Sequence, residues 1–163
     1  MRVFRFVLWA AICMSMVSPA FAQQPVQANP DDIKDVFKTL QAPNANEPPR
    51  VLKSTEGFLR FIGAPDSGHF AVSPAKSATP EATAQAFLSE HHKAFCIGSA
   101  NTNYAVTRTR SAHGQTYIHL TQTYKGIDVF GSGMMIQINA DHGVACVLSD
   151  IMRDSTALDN GAI

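Results

Sequence analysis

Apolar and polar positions alternate most regularly in the last third of the chain. In 116–124 the residues Ile118, Leu120, Gln122 and Tyr124 share one side; in 132–139 Met134, Ile136 and Ile138 do, and in 144–149 Val144, Cys146 and Leu148. A period of two is that of a half-buried strand. A fourth strand is predicted over 104–110. The connections 111–114, 125–128 and 140–143 are short and carry turn chemistry, so the strands they join pair antiparallel. The expected result is a meander with one apolar face.

Upstream the period changes. Thr79 is an N-cap with Pro80 at the first helical position, and Ala84, Phe87, Leu88, His91 and Phe95 fall on one stripe, predicting a helix that ends before Gly98. This stripe is the sizeable apolar surface available to cover the sheet, which gives an α+β fold: an antiparallel meander with one helix packed on a face. Two short β-prone runs, 58–62 and 69–72, flank Gly63 to Gly68 and read as a hairpin. Further upstream Asn29 caps Pro30, and Ile33, Val36, Phe37 and Leu40 follow helical spacing, so one short amphipathic helix is expected within an otherwise Pro-rich linker, 23–56.

The first residues read differently again. Arg2 and Arg5 precede an apolar run from Phe6 to Val17, and Ala20-Phe21-Ala22 has the small-x-small form of a cleavage site. This is the pattern of a secretory signal peptide over 1–22, and the run is about half the roughly 20 residues that a membrane-spanning helix needs. No stable membrane anchor is expected after cleavage, and the product is expected to be secreted or periplasmic. The whole chain has 13 basic and 13 acidic residues, and losing Arg2 and Arg5 makes the remainder slightly acidic. With no basic cluster, nucleic acid is excluded as an expected partner.

The reactive side chains form no catalytic pattern. None of His69, His91, His92, His113, His119 and His142 is followed by Glu, so the His-Glu-x-x-His zinc helix is absent. Cys96 near His91 and His92 is a weak nucleophile candidate, because it lies at the end of a helix, where the macrodipole opposes a thiolate. No catalytic residue, metal ligand or cofactor is expected. In an exporting compartment Cys96 and Cys146 are a candidate disulfide pair, two free thiols being the alternative. Gly126, Gly131 and Gly133, close together, point to turns, a bulge or close backbone approach. The adjoining Tyr124, Phe130 and Met134/Met135 read equally as a recognition surface or as sheet core.

The stretch Thr116-Tyr117-Ile118-His119-Leu120-Thr121-Gln122-Thr123-Tyr124-Lys125-Gly126-Ile127-Asp128-Val129-Phe130-Gly131-Ser132, followed by Met135-Ile136-Gln137-Ile138-Asn139, resembles the FTP domain, the fungalysin/thermolysin propeptide motif. Its elements are a strand ending in Gln-Thr-Tyr, a Gly turn, an apolar-x-Val-Phe step and an Asn-x-x-x-Gly turn at Asn139 to Gly143. With the upstream helix, the resemblance spans 57–153. It implies a non-catalytic pro-region that assists folding of a secreted zinc metalloprotease and inhibits it, with Gln122, Tyr124, Gly126, Val129 and Phe130 as the candidate interaction scaffold. The family's pro-regions usually continue into a second module and a catalytic domain. Because 154–163 resembles an inter-module linker, the expectation is a fragment of a protease precursor. A secreted or periplasmic binding module without a protease partner is the alternative.

Overall fold

A computed structural model describes residues 29–43, 47–66, 68–73, 78–98, 102–154 and 158–159. The expected signal peptide, 1–22, lies outside the described residues. Among these residues two helices and eight strands follow in the order α1 (Pro30–Lys38), β1 (Leu40–Gln41), β2 (Arg50–Lys53), β3 (Leu59–Gly63), β4 (His69–Phe70), α2 (Pro80–Glu90), β5 (Thr102–Ala112), β6 (Gln115–Tyr124), β7 (Ile127–Ile138) and β8 (Val144–Asp150). Strands β5 to β8 form the predicted antiparallel meander.

Local chemistry sets the helix starts. The Asn29 side chain accepts from the Asp31 N–H, and the Thr79 hydroxyl accepts from the Ala82 N–H at 3.1 Å, each followed by proline at the first helical position. Orphan N–H groups are thus satisfied where proline has none to offer. Two hairpin turns are equally local. His113-Gly114 (φ 54° and 75°) and Lys125-Gly126 (φ 50° and 81°) are left-handed pairs, whose twist matches that of the strands they join.

The core lies on one face of the sheet. Phe87 of α2 is fully buried, with the Phe70 ring 6.1 Å and the Phe95 ring 6.4 Å from its own, among Ile118, Ile136, Ile138 and Val147. Burying one such phenylalanine contributes about 2–3 kcal/mol. Ile33 and Val36 of α1 belong to the same cluster, so two helices rather than one supply the layer over the sheet. The described part of 23–56 also contributes strands: β1 pairs with β4 and β2 with β3. Burial of two side chains on one face of a nine-residue helix favours docking over solvent exposure.

Two further expectations fail, both on β8. The runs 58–62 and 69–72 do not form a hairpin with each other. Instead β3 and β4 lie one after the other along the same edge of β8, with Phe61 opposite Leu148, Gly63 opposite Cys146 and Phe70 opposite Val144. The Ala64 N–H donates to the Ala145 carbonyl at 2.8 Å, carrying the pairing past the turn. The second failure is the face of β8. Gln137 pairs with Cys146 and Ile138 with Val144, which leaves Ala145 as an extra residue. Such a bulge reverses the alternation beyond it. Val144, Val147 and Ser149 therefore point inward, and Cys146 and Leu148, expected with Val144, point to the opposite face.

Two outcomes follow from this packing. A Cβ on Gly133 would stand 2.5 Å from the Leu120 carbonyl oxygen, a backbone atom that cannot swing away. Gly133→Ala is expected to lower stability by about 1–3 kcal/mol in urea unfolding, the usual cost of overpacking. The His91 ring lies tilted against Phe87 with centroids 4.7 Å apart, and burial holds its pKa below the ordinary 6.5 against the opposing pull of Glu90 and Asp35. The unfolded chain therefore takes up this proton first, so His91 lowers stability as pH falls below 6.5. Melting temperatures between pH 7.5 and 5 are expected to decline less in His91→Gln than in the parent chain.

Candidate interaction surface

The face of the sheet away from the helices carries an apolar row that crosses it. Leu52 lies opposite Phe61, Phe61 opposite Leu148, Leu148 opposite Met135, Met135 opposite His119, and His119 opposite Arg108. Directly opposed residues of antiparallel strands share a face. Leu52 is 64 % and Leu148 44 % exposed, while Phe61, Met135 and His119 are partly covered by their neighbours. The extra residue at Ala145 is what turns Leu148 outward into this row. Beside it Gly133, with no side chain, leaves a shallow depression of about 370 Å³ flanked by Thr107, Thr121 and Met135. Asp150 stands at its rim, ion-paired to Arg60 at 2.9 Å.

An arm built from the β6–β7 hairpin projects next to this face. Thr121 pairs with Gly133 and Thr123 with Asp128, so β7 advances five residues while β6 advances two. The surplus is a large bulge that contains Val129, Phe130, Gly131 (φ 71°) and Ser132. Its tip is apolar and wet: Phe130 is wholly exposed and Ile127 74 % exposed. Each of the three clustered glycines thus has a distinct duty, Gly126 in the turn, Gly131 in the bulge and Gly133 in the close approach to Leu120.

Gly126, Val129 and Phe130 are brought together on this arm, but Gln122 and Tyr124 are not. Both are buried on the inner face. The Gln122 amide binds the backbone of Met152 as a neighbouring strand would, donating from Nε2 to the Met152 carbonyl at 2.7 Å and accepting from its N–H at 2.8 Å. The Ser132 hydroxyl donates to the same Gln122 oxygen, tying the bulge to the segment after β8. Tyr124 donates its hydroxyl to Asp159 Oδ2 at 2.8 Å, and Lys125 donates to Asp159 Oδ1 at 2.6 Å. These two residues hold the chain together, and the arm and the apolar row offer contact. Met135 was marked in the sequence as recognition surface or core; Leu52 and Phe61 were not marked as surface, and Leu148 was set on the wrong face because the parity of β8 depends on one unannounced extra residue.

Cys96 and Cys146 are free and half-buried in this structure, and burial pushes the pKa of each up, away from the thiolate. Cys146 donates instead to Gln137 Oε1 at 3.3 Å. No group of three or more His, Cys, Asp or Glu side chains able to hold a metal gathers among the described residues. Nor is any helix there long and apolar enough to cross a membrane.

The Gln122 contacts make a direct prediction. Gln122→Ala removes the donor to the partly buried Met152 carbonyl, leaves the Met152 N–H only the Ser132 hydroxyl and the Ser132 hydroxyl only the Asp150 carbonyl, and is expected to cost about 1–3 kcal/mol in denaturant unfolding. Limited proteolysis is expected to cut near Met152 in that variant before the rest of the chain is attacked.

Comparison with known proteins adds one finding to this geometry. Residues 102–147 match the model of the Fungalysin/Thermolysin Propeptide Motif. No curated protein and no solved structure matches the chain. The matched residues begin at β5 and end within β8, a narrower span than the expected 57–153, with both helices outside it. The exposed arm is inside it, but of the apolar row only Met135, with its neighbours His119 and Arg108, is; Leu52, Phe61 and Leu148 lie outside. The β5 to β8 meander, with its bulged arm, thus carries the match to the fungalysin/thermolysin propeptide motif, a pattern that is non-catalytic in itself.

Proposed function

We propose that this chain is a propeptide-type module that assists the folding of a secreted zinc metalloprotease and inhibits it, as a piece of the protease precursor. The observation that carries this reading is the match over 102–147. The geometry is compatible with it, because the matched strands hold Phe130 and Ile127 out as binding surface. A rigid sheet whose inner face is fully occupied has its outer face and bulged arm free for a partner. Anything that binds the folded protease and not the unfolded chain raises the folded fraction by mass action, without any bond being made or broken. In this reading Phe130 and Ile127 are anchors, large apolar side chains already held out on an ordered arm.

The test is refolding of a denatured thermolysin-like catalytic domain with and without the purified chain. The expected outcome is a higher yield of folded protease whose activity stays suppressed until the module is removed. Phe130→Ser combined with Ile127→Thr is expected to lose about tenfold or more in binding, the usual effect of truncating a central anchor, at unchanged melting temperature. An unaltered yield together with no inhibition would remove the reading.

A further inference from the structure

Strand β5 is long and is paired on one side only. Its residues from Thr102 to Ala112 are matched to β6, and among the described residues no strand occupies its other edge. Such an edge is a template for another extended chain. What decides the occupant is charge. Arg108 and Arg110 are exposed, stand opposite His119 and Tyr117 on the outer face, and make no ion pair among the described residues. The outward Asp150 is already taken by Arg60. On the inner side of the same strand the Thr109 hydroxyl donates to Glu81 at 2.8 Å, and Tyr104 and Val106 are half-buried against the core. One side of the edge is therefore cationic, and the other is apolar with an acidic neighbour.

We propose that the open edge of β5 receives an extended acidic segment of a partner protein as an added strand, with carboxylates two residues apart directed at Arg108 and Arg110. Alternation then places the intervening side chains on the Tyr104 and Val106 side, where apolar residues fit and carboxylates are repelled by Glu81. A second copy of this chain is the wrong occupant. Antiparallel self-pairing centred on Thr109 sets Arg108 of one copy against Arg110 of the other, and like charges directly opposed are destabilising. This goes beyond the propeptide reading, because it names an edge and a ligand chemistry that hold for any partner.

The probe is a synthetic peptide alternating Glu and Val, titrated into the full chain and followed by anisotropy of a label on the peptide and by amide exchange of β5. Binding that slows exchange in β5 and weakens with salt is expected, with a Lys-Val peptide failing to bind. The double variant R108E/R110E is expected to bind the Glu-Val peptide about tenfold less tightly, as two exposed ion pairs are lost, and to accept the Lys-Val peptide instead. Both arginines are exposed, so the variant is expected to melt as the parent does. Equal binding of the two peptides, indifference to R108E/R110E, protection elsewhere than β5, or self-association through β5 would each overturn the proposal. No protease takes part, so failure here and failure of the propeptide reading are separate results.

Discussion

The seating of Phe87 against the inner face of β6, β7 and β8 is the interaction on which the remaining architecture depends. Its ring meets Phe70, Phe95 and His91, and around it lie the inward residues of three strands and of α1. Because this contact and the two helices consume one face, the other is left to neighbouring side chains and solvent. The exposed row is therefore a consequence of both described helices packing on the same face of the sheet. A wider helical layer would have hidden nothing more, since it can cover only the face it packs on.

From that constraint the bulges acquire their meaning. One extra residue at Ala145 sends Leu148 outward and Val147 inward, so a strand with two sets of apolar residues serves the core and the outer row at once. The surplus in β7 does the opposite, lifting Phe130 off the sheet altogether. Gln122 reconciles the second bulge with the core, its amide replacing the ladder bonds that the bulge interrupts and fastening the segment at Met152. Order in the arm and exposure at its tip come from the same set of contacts.

Much of this was legible in the chain. Asn29-Pro30 and Thr79-Pro80 marked both helix starts, and the glycine-containing turns marked the meander, because caps and tight hairpins are decided by a few adjacent residues. Long-range choices were not legible. Whether 58–62 pairs with 69–72 or both pair with β8 depends on an edge formed some 80 residues later, as the partners Phe61 and Leu148 show. The parity of β8 was hidden for a different reason: Val144, Cys146 and Leu148 alternate as well as Val147 and Ser149 do. Gln122 had left a signal, a polar residue on an otherwise apolar side of β6, which is the mark of a buried hydrogen-bonding site. Of the candidate scaffold residues, Gly126, Val129 and Phe130 lie on the arm, and Gln122 and Tyr124 lie beneath it.

The central claim is that partners meet the strand side of this molecule, while the helix side serves the core. Amide hydrogen exchange of the full chain, alone and saturated with a thermolysin-like zinc protease, tests it most directly. The account predicts slowed exchange in 127–132 and along β5, with α1 and α2 unchanged. Slowing confined to the helices, or no change anywhere in a complex shown to form, would contradict it.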